Sequence, residues 1–124
     1  MAAGKSALSA FTKWLTAYGD AWEQADAHVA GSLFAVGATL QDTPFSELLR
    51  GRRAIREHLV GLFLDWEEAS FTAQILGAGD TYGVAHWRIA SPERAIDGVL
   101  VAALDERGRC TSLRQWWHES RRLN

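Results

Sequence analysis

Leu8, Phe11, Leu15, Tyr18, Trp22 and Ala25 recur at alternating steps of three and four residues. That spacing lays them along one stripe of a helix and predicts α-structure from about residue 6 to residue 25. Asp26 then stands where a side-chain oxygen can cap a second, shorter helix carrying Val29, Ala30, Leu33 and Phe34, and Gly37 is suited to end it in a left-handed conformation. Ala38 to Asp42 reads as a short strand broken by Thr43-Pro44. Ile55, Leu59, Leu62 and Phe63 define a third helix that begins after Gly51.

From Glu68 onward the period changes. Four β-rich runs, near 68–77, 80–90, 95–105 and 109–119, are separated by Gly77-Ala78-Gly79-Asp80, Ser91-Pro92-Glu93-Arg94 and Asp105-Glu106-Arg107-Gly108. Each break is short and rich in turn formers, so hairpins should link the runs into a meander. Helices first and strands second predict an α+β fold, with three N-terminal helices packed in a strongly curved antiparallel sheet. No repeat or linker interrupts the pattern, which predicts a single domain over 1–124.

Composition narrows the chemistry. A length of 124 residues allows one continuous core and therefore one principal site. A formal net charge of -2 gives no general attraction to nucleic acid or to an anionic membrane, so neither is an expected partner. Cys110 is the only cysteine, which excludes an intrachain disulfide and suits a reducing cytoplasm. The opening Met1-Ala2-Ala3-Gly4-Lys5-Ser6 runs directly into the amphipathic pattern, without the apolar stretch of a secretory signal. Six tryptophans predict an aromatic core, an aromatic-lined cavity, or both.

His28, His58, His86 and His118 show no paired ligand spacing, and no glycine-rich phosphate loop occurs, so no metal or cofactor is expected. Arg50, Arg52, Arg53 and Arg56 read as a solvated helix start beside Glu47 and Glu57.

Three segments carry a family resemblance: Ala38-Thr39-Leu40-Gln41-Asp42-Thr43-Pro44, Gly51-Arg52-Arg53-Ala54-Ile55-Arg56, and Gly108-Arg109-Cys110-Thr111-Ser112-Leu113-Arg114-Gln115-Trp116-Trp117. With the order of elements, they make the chain resemble the nuclear transport factor 2-like superfamily. That superfamily includes SnoaL-like polyketide cyclases, scytalone dehydratase, limonene epoxide hydrolase and ketosteroid isomerase. The resemblance implies a cone whose open end admits a small apolar, even polycyclic, molecule, and a homodimer through the outer sheet face.

Within the superfamily, ketosteroid isomerase is the nearest comparison. Tyr18 looks like its first-helix tyrosine and Asp42 like its catalytic base; the 24 positions between them, and the 9 from Asp42 to Gly51, agree with that enzyme. The resemblance departs at Leu100, which stands where the buried acid of the oxyanion hole would be. One missing oxyanion donor costs about 2.7 to 4 kcal/mol of transition-state stabilisation, so the isomerase-like chemistry implied by Asp42 and Tyr18 would be weakened. Gln115 stands where limonene epoxide hydrolase carries an aspartate, which disfavours epoxide hydrolysis.

Strand alternation sorts the remaining candidates. If Leu100 and Trp117 point inward, so do Gly98, Ala102, Leu113 and Gln115, while Asp97, Arg114, Trp116 and His118 face out. On the neighbouring strand Gly83, Ala85 and Trp87 face in, leaving His86 and Arg88 outside. The expected pocket therefore contains Trp22, Gly83, Ala85, Trp87, Leu100, Gln115 and Trp117 around the catalytic candidates Asp42 and Tyr18, with Gly83 and Ala85 leaving room beside the large rings. Structural alternatives stand beside these roles. Asp42 can cap the turn at Thr43-Pro44, and Tyr18 and Trp22 can simply fill the core. The candidate functions are a cofactor-independent isomerase or cyclase, a non-catalytic module binding a hydrophobic metabolite, and a dimeric association module.

Overall fold

The computed structural model describes residues 2–121; Met1 and residues 122–124 of the expected domain lie outside them. Helix α1 (Ala2–Gln24) follows the apolar stripe and buries Phe11, Trp14, Leu15, Tyr18 and Trp22. It ends one residue before its expected limit. Ala25 turns left-handed at φ 54, its N–H donates to Trp22 O, and the Asp26 N–H reaches back to Ala21 O. This is a Schellman-type end made without glycine. Asp26 then caps helix α2 (Ala27–Ser32), accepting from the Val29 N–H at 3.0 Å.

The second helix is shorter than its pattern suggests, and Gly37 does not end it. Phe34 already belongs to strand β1 (Phe34–Gln41). The cause is tertiary: the Leu33 carbonyl accepts from the Trp14 indole at 2.9 Å and from the Cys110 N–H at 2.8 Å. Gly37 lies instead in the irregularity of register between Phe34 and Thr39, a usual place for glycine in a strand. Strand β2 (Leu49–Arg50), too short to leave a pattern, pairs with β1. Helix α3 (Arg52–Asp65) starts after Gly51 as expected and buries Ile55, Leu59 and Phe63.

The meander follows as β3 (Ser70–Ala78), β4 (Tyr82–Ala90), β5 (Arg94–Leu104) and β6 (Cys110–Arg121). Its neighbouring strands pair antiparallel, whereas β1 lies parallel to β6, so the sheet is mixed with the order β2-β1-β6-β5-β4-β3. The sheet curves without closing around the three helices, and one core fills the concave side. Alternation assigns the faces correctly: Ala85, Trp87, Leu100, Ala102 and Leu113 are buried inside. On the outer face Asp97 accepts from Arg88 at 2.9 Å and lies 2.8 Å from His86, which lowers the Asp97 pKa. Among the described residues, no helix is long and apolar enough to cross a membrane.

Gly98 sits in register between Trp87 on β4 and Trp117 on β6. A Cβ there would lie 2.1 Å from the Trp116 carbonyl oxygen and 2.6 Å from Trp117 Cβ, against atoms that the backbone holds in place. The absent side chain therefore lets β6 approach closely where it carries the site described below. Gly98→Ala should destabilise the fold by about 3 kcal/mol, at the upper end of overpacking costs. Urea unfolding measures this directly, and a loss below about 1 kcal/mol would mean that β6 can shift.

Candidate functional site

Asp42 follows the last residue of β1. Because Gln41 pairs with Arg114, the parallel register brings Asp42 beside the following residues of β6. Gln115 Nε2 donates to Asp42 Oδ1 at 2.9 Å, and Trp117 Nε1 donates to the Asp42 main-chain oxygen at 2.8 Å. Both the carboxylate and the backbone are thus oriented from a strand more than 70 positions away. The adjoining turn is held by other groups: Gln41 Nε2 donates to the carbonyls of Pro44 and Ser46, and the Thr43 and Ser46 hydroxyls are 2.6 Å apart. The Asp42 carboxylate is not the turn's cap.

His58, from α3, brings Nε2 to 3.5 Å from Asp42 Oδ2, a contact outside hydrogen-bonding geometry. The Asp42 side chain is 20% exposed and within reach of a ligand, whereas His58, 29% exposed over its side chain, keeps Nε2 buried against the carboxylate. The surroundings of Asp42 are more polar than the apolar cavity that the sequence suggests.

A cavity of about 160 Å³ opens between α1, α3 and the concave face of the sheet. Tyr18, Trp22, Asp42, Trp87, Gln115 and Trp117 line it. Gly83, Ala85 and Leu100 do not. The Phe11 ring occupies the space over Gly83, where a Cβ would meet it at 2.2 Å. Ala85 and Leu100 are cross-strand partners, both fully buried in the core. The missing side chain of Gly83 therefore admits an aromatic ring of the protein itself. The remaining space is near the roughly 150 Å³ of a cavity that holds benzene, and below the roughly 300–1,000 Å³ usual for drug-sized ligands.

The walls carry polar groups in an unusual state. Burial pushes the Tyr18 phenol well above its ordinary pKa; the nearby Trp22 indole opposes the shift and the Asp42 charge adds to it. Tyr18 is therefore a neutral hydroxyl across the ordinary pH range. Trp22 Nε1, Trp87 Nε1 and His58 Nε2 are all buried without a hydrogen-bond partner, the Trp22 N–H lying outside bonding geometry with Tyr18. Each such orphan costs about 1 to 3 kcal/mol while it stays unpaired.

At the mouth, Arg94 stacks over Trp66 at 3.9 Å and bonds Asp65 Oδ2 at 2.7 Å and Glu119 Oε2 at 3.3 Å. This cluster joins the end of α3 to β5 and β6.

His58, Asp65, Arg94 and Glu119 line the cavity although sequence analysis did not place them there. Their signals were present. His58 falls three residues after Ile55 and four before Leu62, on the inward stripe of α3, and Asp65 continues that stripe. Arg94 shares strand parity with Ile96 and Leu100, as Glu119 does with Gln115 and Trp117. His86 faces out against Asp97, on the side where strand alternation puts it.

The SnoaL-like domain profile matches residues 15–113, most of the chain and every element from the middle of α1 into β6. The chain belongs to this family, within the nuclear transport factor 2-like superfamily. Its fold is similar to that of SalBIII, an epoxide hydrolase/cyclase-like enzyme of pyran ring formation in the polyether salinomycin. The two share 18% identity over 92% of each chain, with a TM-score of 0.74. No curated protein matches it significantly in sequence. Solved chains with significant structural similarity number 321, so the fold by itself leaves the reaction open.

Burial also makes the site's stability depend on alkaline pH. Cys110 is pushed up to about 12 chiefly by desolvation, with a Ser112 backbone hydrogen bond opposing and Asp105 reinforcing. Tyr18 is raised by burial as well. In the unfolded chain these groups ionise from about pH 9 to 10, while the folded protein keeps them neutral. Their contribution is therefore whole below about pH 9 and is lost as pH rises toward the folded values. Urea midpoints should fall between pH 9 and 12, and Tyr18→Phe should flatten the decline above about pH 10. An unchanged slope in the variant would show that the phenol is not held neutral by the fold.

Proposed function

We propose that this chain is a small acid/base enzyme of the isomerase or cyclase type, in which Asp42 moves a proton on an uncharged ligand seated among the aromatic rings. The observation that carries the proposal is the Asp42 carboxylate fixed at the cavity wall. Gln115 occupies Oδ1, leaving Oδ2 to exchange a proton and His58 Nε2 near enough to serve as the second member of an acid/base pair. Tyr18, kept neutral by burial, is suited to donate to a ligand oxygen. Membership of a SnoaL-like family and the fold shared with a cyclase-like enzyme support the same class of chemistry.

The alternative is a non-catalytic binding module for a hydrophobic metabolite. It is favoured by Leu100, a packed core residue at the position where the resemblance to ketosteroid isomerase calls for an acid.

The cavity volume favours a one-ring substrate over a steroid. Conversion of 3-cyclohexenone to its conjugated isomer, followed by ultraviolet absorbance, tests the base and the cavity together. Turnover by the native protein should fall by at least about 100-fold in Asp42→Asn. Equal rates for the two proteins would remove Asp42 from the chemistry, and no rate above buffer for the native protein would favour the binding module.

A further inference from the structure

Away from the cavity, a second flank of α1 meets a free edge of the sheet, because β3 is outermost in the strand order. The Phe71 N–H donates to Glu23 Oε2 at 2.9 Å, so Phe71 turns its main-chain groups away from β4. Direction repeats at every second residue and the register is unbroken as far as Ile75. Ala73 and Ile75 therefore turn their N–H and C=O groups outward as well. The Ser91–Arg94 bond that closes the β4–β5 hairpin fixes the same parity across the two ladders. Among the described residues, no side chain meets the outward groups of Ala73 and Ile75 as Glu23 meets Phe71.

The two edges of the sheet are treated differently. One is blunted by the shortness of β2, which has only two residues. The other, β3, has nine residues of which none is charged and none is proline, so it lacks the features that keep an edge unpaired. A groove of about 280 Å³ runs between this edge and the Thr12, Thr16, Asp20 and Glu23 side of α1, and it shares no lining residue with the cavity of Asp42. Both charged groups in the groove are carboxylates.

We propose that the free edge of β3 docks an extended peptide segment of a partner protein, added as a seventh strand with a lysine or arginine side chain directed at Asp20. The ladder selects the backbone, since outward N–H and C=O groups two residues apart are completed by another strand. Charge selects the sequence: Glu23 is committed to the Phe71 N–H, which leaves Asp20 to meet a cation. The β3 strand of a second copy would bring no basic residue of its own.

The probe is an acetylated and amidated seven-residue peptide of alternating threonine and valine with lysine at its centre, titrated into nitrogen-15-labelled protein. Resonance shifts and slowed amide exchange should concentrate at Ala73 and Ile75. A peptide with glutamate at the centre, and Asp20→Asn with the lysine peptide, should each bind about three-fold more weakly, as for an exposed ion pair. Methylating alternate peptide nitrogens on the side that faces β3 should weaken binding about ten-fold. Equal affinity for the lysine and glutamate peptides, indifference to methylation, shifts centred elsewhere, or no binding at millimolar peptide would each overturn the proposal. Self-association that already protects the Ala73 and Ile75 amides without peptide would overturn it too, by giving the edge to a second copy. The peptide series on the native protein decides the matter even if the variant fails to fold. An inert Asp42→Asn result in the turnover assay would leave this edge site standing, because the two share no residue.

Discussion

The parallel pairing of β1 with β6 is the constraint on which the site depends. It sets the end of β1 beside Gln115 and Trp117, so that two hydrogen bonds orient Asp42 from across the sheet. Hydrogen bonds to a charged carboxylate are worth about 1.5 to 3 kcal/mol, enough to prefer one orientation strongly. The same strand must come close to β5 at Gly98, where no side chain larger than hydrogen fits. Backbone pairing, a missing Cβ and the placement of a carboxylate are therefore parts of one arrangement.

The concave face divides along its length. Toward Gly83 the space is closed by Phe11, and the packing is that of an ordinary core. Two helical turns further along α1, Tyr18 and Trp22 border an opening instead, and three of the residues around it, Trp22, His58 and Trp87, carry buried nitrogens without a partner. A core that existed only for stability would pair these groups or replace them with apolar ones, because buried polar atoms are normally satisfied. Their concentration among residues that surround one cavity marks this end of the core as the less fully satisfied one. The mouth is ordered differently, by the stack of Arg94 on Trp66 and its bonds to Asp65 and Glu119, which hold α3 against the sheet without filling the opening.

Much of the architecture was legible in the order of residues. The three-and-four spacing from Phe11 to Trp22 specified α1, Asp26 announced the N-cap of α2, and strand parity placed Gln115 and Trp117 inside with Asp97 and Trp116 outside. These signals are local and depend only on helical and strand periods. Where local signals misled, a tertiary bond had intervened. Leu33 and Phe34 continue a helical spacing, but the Leu33 carbonyl is taken by Trp14 and Cys110, and the chain turns into β1 there. Gly83 and Ala85 suggested empty space because their own side chains are small. Whether such space stays empty is decided by what the opposite element brings, and α1 brings Phe11.

The sequence by itself determined the α+β class, the strand faces and most of the aromatic lining, since each follows from periodicity within one element. Tertiary structure decided that His58 meets Asp42, that Leu100 lies under the core rather than at the cavity, and that two indoles are left without acceptors. Those facts depend on distances between elements remote in the chain, which the spacing of residues along any single element does not contain.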